Sequence, residues 1–445
     1  MVDLVVRRCA GLDVHKDQVT TCVLVLDEHG ELRQEVRTHE TNTRGLSALR
    51  DWLQTEGVTH AAMESTGVYW KPVFNILEGH VPTLLLVNAQ HIKNVPGRKT
   101  DVKDCEWIGQ LLQHGLLRGS FIPPENVREW RDLTRTRTRL EQEKARHANR
   151  LQKTLEDANI KLGSVASDVL GVSGREMIRA LIAGETNAAV LADLAKGRLR
   201  ERLPELRSAL QGRVTHHHRF MLEFLLDEVE QTERSIAKLD ERLGSLMAPF
   251  APDLDRLQTI PGVGLRTAQV LLAEIGPDMK QFPTAQHLAS WAGLCPGNNM
   301  SAGKRKGRAT KKGSRWLRGA LNEAAHGASR CKRSYLRAQY QRIKGRRGPL
   351  RATMAVAHSI IVSVHHLLLN QVDYVDLGVD YFDRRRKDRL VQHHVRRLFQ
   401  LGVRPEELAA LSSGIPLQRS RTQDDPAAPP AAAPRTARAR QTSLF

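Results

Sequence analysis

The stretch RCAGLDVHKDQVTTCVLVLDEHGELRQEVRTHE, residues 8–40, decides the fold of the N-terminal part. Short β-rich runs alternate in it with turn formers. Arg8 to Val14 predicts a strand, His15 to Asp17 a turn, and Val19 to Leu26 a second strand; Asp27-Glu-His-Gly30 then turns the chain into a third, Glu31 to His39. Connections this short leave room only for hairpins, so the three strands are neighbours. Beyond them the apolar period changes. Thr43 caps a predicted helix to about Thr55, His60 to Glu64 reads as a strand, Val68 to Glu78 as a helix, and Thr83 to Val87 as a buried strand.

Three hairpin-linked strands followed by helix, strand, helix, strand is the order of the ribonuclease-H-like fold, so an α/β domain is expected first. From about Pro123 the chain turns helical and highly charged. Leu225, Val229, Thr232, Ile236, Leu239, Leu243 and Leu246 are spaced alternately by four and three, a heptad seam that predicts a coiled-coil arm. Trp130 to Leu155 is the expected antiparallel partner, although Arg137, Lys144 and His147 interrupt its register. A third, mainly helical domain begins near Pro252. Beyond about Gln418 the text is Pro, Ala and Arg without periodicity, which predicts a solvated tail. The expected organisation is α/β plus all-α: 1–122, 123–250, 251–417 and 418–445. No internal repeat is visible.

Composition narrows the function. The 445 residues carry 68 Lys+Arg against 49 Asp+Glu, a formal net charge of +19. That excess points to a polyanionic partner, nucleic acid before membrane surface. At 40% hydrophobic residues the chain can bury a sizeable core. Neither a signal peptide nor a membrane span is expected. The N-terminal apolar patch ends at Arg7 and Arg8, and the longest apolar stretch, Met354 to Leu369, is broken by His358, Ser359, Ser363, His365 and His366. Cys9, Cys22, Cys105, Cys295 and Cys331 lie far apart with no zinc-site spacing, as expected of reduced thiols in a cytoplasmic protein.

Four acids carry the chemistry. Asp13 ends the first predicted strand and Glu64 the fourth, so both are presented at strand ends of one sheet. Thr100-Asp-Val-Lys-Asp104 opens a helix whose inward stripe runs Asp101, Asp104, Ile108, Leu111. Taken singly, each acid is most simply a turn former or a favourable charge in a first helical turn. Taken together, three or four converging carboxylates repel one another unless a cation neutralises them. Hard oxygen ligands select Mg²⁺ or Mn²⁺, and two such ions would clamp the attacking and leaving oxygens of a phosphodiester.

The third domain holds a second constellation. Leu257-Gln-Thr-Ile-Pro-Gly-Val-Gly-Leu265, followed by an apolar helix from Arg266 to Ile275, is the text of a helix-hairpin-helix. Gly262 and Gly264 would permit a tight turn whose backbone N–H groups meet a phosphate. The segment Cys295-Pro-Gly-Asn-Asn-Met-Ser-Ala-Gly-Lys-Arg-Lys-Gly-Arg308 then places Ser301 among cations: Lys304, Arg305, Lys306 and Arg308, with Lys311, Lys312 and Arg315 beyond. They could neutralise a scissile phosphate and lower the barrier to attack by the hydroxyl. Composition alone favours a solvated loop serine here, and no nearby His or Asp offers a base. Ser314, directly before a helical run, is most simply its N-cap.

GLDVHKD (11–17), MESTGVYW (63–70), KTDVKD (99–104), IPGVG (260–264), SAGK (301–304) and RATKKGSRWLR (308–318) resemble the transposases of the insertion-sequence one-ten family, relatives of the Piv DNA invertases. The resemblance runs from Gly11 to about Leu369. It implies a RuvC-like domain with a D-E-D-D tetrad, matched by Asp13, Glu64, Asp101 and Asp104; a coiled-coil insertion; and a C-terminal transposase domain with a catalytic serine, matched by Ser301. Met300 stands where many relatives place a second serine. The resemblance also implies donor and target DNA as substrates, a structured bridge RNA as guide, and a homo-oligomer, dimer or tetramer, acting in the bacterial cytoplasm at the nucleoid. Two other classes stay open: a RuvC-like metal-dependent nuclease or an invertase without RNA guide, and a nucleic-acid-binding protein without enzymatic activity.

Overall fold

The structure, a computed structural model, describes residues 5–65, 67–88, 92, 104–296, 300–301, 304–305, 310, 313–385 and 387–403. Asp101, Lys306, Arg308, Lys311, Lys312 and the expected tail lie outside the described residues. The chain is mixed α/β and mostly helical, and its five-stranded sheet followed by helices is consistent with an N-terminal RuvC-like domain and a helical C-terminal part.

The sheet is built from β1 (Arg8–Val14), β2 (Gln18–Leu26), β3 (Leu32–Glu40), β4 (His60–Glu64) and β5 (Thr83–Val87), in the order β3-β2-β1-β4-β5. β1 and β2, and β2 and β3, pair antiparallel; β4 lies parallel to β1 and β5 parallel to β4. At the edge, β3 carries Arg33, Glu35 and Arg37, charges that discourage a further strand from adding there. Side chains alternate between two faces. Ala10, Leu12 and Val14, with Ala61 and Met63, pack beneath α1 (Thr43–Thr55) and α2 (Trp70–Leu77). Cys9, Cys22, Leu24, Ala62 and Val87 face α3 (Asp104–Gln113), against Cys105, Ile108, Leu111 and Leu112. The cap of α1 is Asn42, whose side chain accepts from the Gly45 N–H at 2.8 Å, one residue before the expected Thr43.

The arm consists of α4 (Glu125–Asp157) and, after α5 (Leu162–Val165), α6 (Val172–Ala183), α7 (Ala188–Asp193) and α8 (Leu203–Ala209), the long returning helix α9 (His216–Met247). Cross-helix pairs run in opposite directions: Arg137 with Asp240, His147 with Glu228, and Asp157 with His218. Rising numbers on α4 meet falling ones on α9, so the two are antiparallel. Arg137, which breaks the apolar register of α4, is only 4% exposed and satisfied by Asp240 and Gln269. The seam of α9 buries Leu222, Leu225, Val229, Thr232, Ile236, Leu243 and Met247. Leu239 and Leu246, expected in that seam, are only half-buried, because the stripe drifts toward Met247 as it enters the C-terminal core. Ile236→Asp should therefore destabilise the arm by about 3–5 kcal/mol, the cost of an unpaired buried charge. Leu239→Asp should cost less than half as much. Urea melts of the two variants measure the difference, and equal losses would contradict the burial.

The sequence gives no warning that the arm ends in its own core. Leu151 and Leu155 of α4 and Leu222, Leu225 and Leu226 of α9 close over Leu162, Met177, Ile178, Leu181, Leu191 and Leu206 from the short helices. At the other end, Val127 and Trp130 of α4 and Leu243 and Met247 of α9 join the C-terminal core. That core is formed by α10 (Ala251–Gln258), α11 (Leu265–Ile275), α12 (Ala285–Trp291), α13 (Arg315–Arg330), α14 (Tyr335–Arg347) and α15 (Pro349–Asn370). By length and composition α15 could cross a bilayer. Here it forms the centre of the core, with Val356, Ala357, Ile360, Ile361 and Val364 fully covered. Beyond it come α16 (Tyr381–Arg384) and α17 (Lys387–Gln400).

Candidate active site

The register of two parallel strands brings the first two acids together. Leu12 is level with Met63, so the next positions, Asp13 and Glu64, are level at the C-terminal ends of adjacent strands. Strands so paired lie about 4.8 Å apart. Both acids share the face that carries Cys9 and Ala62, the one covered by α3. Asp13 is opposite Thr20 of β2, and its carboxylate lies 3.2 Å from His15 Nε2.

Gly11 sets the distance between this face and α3. A Cβ there would lie 2.1 Å from the Cys105 carbonyl oxygen and 2.3 Å from the Gly109 nitrogen, so helix backbone rests directly on strand backbone. This contact seats the start of α3, and with it Asp104, over the end of β1. Asp104 is exposed, whereas an inward-facing position was expected. The reason is positional: it opens the helix where the sheet ends, and only from Cys105 onward does the stripe turn onto the strands. Gly11→Ala should cost about 3 kcal/mol, the upper range for overpacking, because neither backbone can retreat without separating helix from sheet. A thermal melt within 1 °C of wild type would contradict so tight a seat.

Among the described residues no group of three or more His, Cys, Asp or Glu is gathered closely enough to hold a metal ion, and Asp101 falls outside them. The donor set nevertheless suits a hard divalent cation: aligned carboxylates on one face, at a strand end open to solvent, with no thiol among them. The nearby Cys9, Cys22 and Cys105 are buried. Burial pushes the Cys9 and Cys22 thiols up to about 12.

The serine lies in a hairpin, not the open loop that its composition suggests. β6 (Met300–Ser301) pairs antiparallel with β7 (Lys304–Arg305), Ser301 opposite Lys304, and the limbs close at a Pro296–Thr310 bridge. The returning limb leads into α13, capped as expected by Ser314, whose oxygen accepts from the Leu317 N–H at 3.3 Å.

Sequence reasoning missed the group that fixes this junction. Glu274, 1% exposed at the end of α11, receives both Nε and Nη2 of Arg135 at 2.7 and 3.0 Å and the Ser314 hydroxyl at 2.9 Å. Arg131, one turn earlier on α4, donates to the Ala273 and Glu274 carbonyls, and burial lowers its guanidinium to about 10. Arg128 of the same helix grips Glu78, just past α2, with both terminal nitrogens. α4 is therefore a bracket: its first turns hold the sheet domain on one side and the base of the serine hairpin on the other. The Ile-Pro-Gly-Val-Gly turn is also partly structural. Gly262, at φ +87°, is pressed against α13, where a Cβ would lie 2.3 Å from the Ala324 oxygen and the Ala328 nitrogen. Gly264 caps α11 beside open space.

Residues 10–160 match a transposase family of the DEDD, IS110 type, and residues 254–341 match the family described as "Transposase IS116/IS110/IS902 family". The chain belongs to the IS110 family of transposases. Membership makes it an enzyme of DNA transposition and recombination. It is 24% identical over 377 residues to the transposase for insertion sequence element IS1111A of Coxiella burnetii, covering 82% of this chain and 90% of that one. A pilin gene-inverting protein of Moraxella bovis is 24% identical over 304 residues, 65% of this chain and 73% of its own. An insertion element IS110 protein of Streptomyces coelicolor is 42% identical over 86 residues, only 20% of its length. The two family matches coincide with the sheet domain plus α4 and with the core that carries the serine hairpin.

Proposed function

We propose that this transposase cuts and rejoins donor and target DNA through a covalent serine–DNA link, with Asp13, Glu64, Asp101 and Asp104 as an acidic site for Mg²⁺ or Mn²⁺. The observation that carries the proposal is the level placement of Asp13 and Glu64 at the ends of two parallel strands, with Asp104 seated above them through Gly11. A divalent cation bound there would supply positive charge for the oxygens of a phosphodiester. The chain's own groups do the rest. The Ser301 hydroxyl attacks phosphorus, the P–O bond to one strand end breaks, and that freed oxygen takes a proton. The new phosphoserine ester preserves the bond energy, so attack by the hydroxyl of another strand end reverses the step and returns the serine. Lys304, Arg305, Lys306, Arg308, Lys311, Lys312 and Arg315 offset phosphate charge, and Gly264 and the start of α11 offer backbone N–H groups in the manner of a helix-hairpin-helix. Gly262, whose Cα is tight against α13, would add its backbone N–H to the same set.

A net charge of +19 is compatible with holding a structured bridge RNA as well as DNA, base pairing supplying the sequence and the protein reading shape and backbone. The acidic face and the serine hairpin lie in separate cores joined by α4, so the working site is composite, completed within one chain or between copies of a dimer or tetramer. The test is direct. The protein, its RNA and labelled donor and target DNA are combined with Mg²⁺, denatured, and examined for DNA attached to the peptide containing Ser301. Cleavage without any such adduct would leave a hydrolytic, RuvC-like nuclease in its place.

A further inference from the structure

The two acids of the sheet belong to a row that crosses all of its strands. The pairing registers place Thr38 of β3, Thr20 of β2, Asp13 of β1, Glu64 of β4 and Val87 of β5 level with one another. All five lie on the face that α3 covers, since Val36, Cys22, Cys9, Ala62 and Val87 of the same alternation pack against that helix. The row has a closed end and an open one. Val87 is fully buried and bridged to Gly119, whereas Thr20 is half-buried and Thr38 exposed. One rung inward the face is apolar, with Cys22 buried opposite Val36; one rung outward Gln18 lies opposite Glu40, whose carboxylate takes the Asn42 amide. Between these rungs Thr20 Oγ1 and Thr38 Oγ1 are 3.2 Å apart. Two hydroxyls that share one hydrogen bond keep a second hydrogen to donate.

We infer that Thr20 and Thr38 form a subsite for the phosphate next to the one that is cut, donating that hydrogen to a phosphate oxygen of the same DNA strand. The inference rests on the reading of Asp13 and Glu64 as the cutting site and adds the direction in which the strand leaves it. A threonine pair at a sheet edge is ordinary strand chemistry in itself. Its place in the row is what carries the inference. With neighbouring strands about 4.8 Å apart, the two threonines stand about 5 and 10 Å from Asp13 across the sheet. A strand with one phosphate at the acids has its next phosphate within that interval, and toward β5 the way is closed by Val87 and Gly119. The chemistry suits the place. A lysine in this row would pair with the carboxylates and compete with the cation they would hold, while a neutral hydroxyl leaves them free and still donates a strong bond to an anionic oxygen. The occupant is DNA because the row is continuous with the acids, and DNA is what a transposase cuts.

The experiment uses the full chain with its RNA and Mg²⁺ and reads single-turnover cleavage of donor DNA at rising protein concentration. Each phosphate flanking the cut is replaced in turn by an uncharged methylphosphonate. In the double variant Thr20→Val, Thr38→Val the half-saturating concentration on unmodified DNA should rise about tenfold, the worth of one hydrogen bond to a charged group. Wild type should lose the same factor on DNA neutralised at the adjacent phosphate, and the valine variant should lose nothing further there. Thr20→Ser with Thr38→Ser keeps both hydroxyls and should stay within about twofold of wild type. Valine preserves the shape and strand preference of threonine. A damaged fold would in any case weaken cleavage of every modified DNA alike, and only a penalty missing at one phosphate supports the subsite. Unchanged affinity in the valine variant, equal added losses at every phosphate, or coupling confined to the uncut strand would each overturn the inference. Asp13→Asn is assayed beside these variants. If it cleaves normally while the valine variant shows the missing penalty, the subsite stands and the acidic site falls. If it is inactive while no phosphate shows that coupling, the subsite falls and the acidic site stands.

Discussion

Asp13→Asn and Asp104→Asn should each lower DNA strand cleavage by about a thousandfold or more while leaving the fold intact. The amide keeps the shape of the carboxylate but removes the negative charge that a hard cation needs, and at a site built from a few acids each charge is a large share of the whole. Stability should not suffer. Asp13 is 29% exposed, and among the described residues its side-chain ion pair is with His15, so little packing depends on it. Its neighbour across the sheet is Glu64, and removing one of two adjacent like charges relieves repulsion, so the melting temperature should hold or rise slightly. That pairing of lost cleavage with unchanged or improved stability separates a catalytic acid from a structural one. Cleavage assays at saturating Mg²⁺ and thermal melts of the same preparations provide both numbers. Near-normal cleavage by both variants would remove the acidic face from the chemistry.

The sheet was legible because its determinants are local. Alternation over residues 8–40 and the turns at 15–17 and 27–30 fix strand, face and partner, and the observed β1, β4 and β5 begin and end where the pattern does. From strand ends and faces alone Asp13 and Glu64 could be placed together. What the sequence could not convey depends on contacts between distant segments. His15 was visible only as a turn residue, although its spacing of two from Asp13 already allowed a shared face. Glu274 was legible only as one acid closing an apolar helix; its partners Arg131 and Arg135 lie some 140 residues away. The core at the arm's tip is made by helices of four to twelve residues, too short to show a period. A two-residue ladder such as β6 and β7 has no alternation to detect, so Ser301 read as loop. The drift of the α9 seam away from Leu239 follows from the α-helix repeating at 3.6 residues against a heptad's 3.5.

Ser301→Ala should abolish both the protein–DNA adduct and recombination, with DNA binding kept within about twofold, because the change removes one oxygen and no charge. The effect should be complete where the effect of losing one flanking cation is partial. Arg305→Ala, for example, removes one of several positive charges around the phosphate, and the salt dependence of binding should fall by roughly one unit of slope for that contact. Folding is not at stake in the serine variant. The ladder pairs backbone with backbone, Met300 with Arg305 and Ser301 with Lys304, and alanine keeps every such bond. The junction that holds the hairpin's exit is made by Glu274, Arg135 and Ser314, none of which the substitution touches. Ser301→Cys gives a second view: a thiol can still attack phosphorus, but slowly, so a trace of adduct would identify position 301 as the point of attachment. An adduct of normal yield in Ser301→Ala would assign the nucleophile elsewhere. Loss of the adduct with cleavage unimpaired would mean that water, and not the chain, attacks the phosphate, and that the acidic face alone performs the cut.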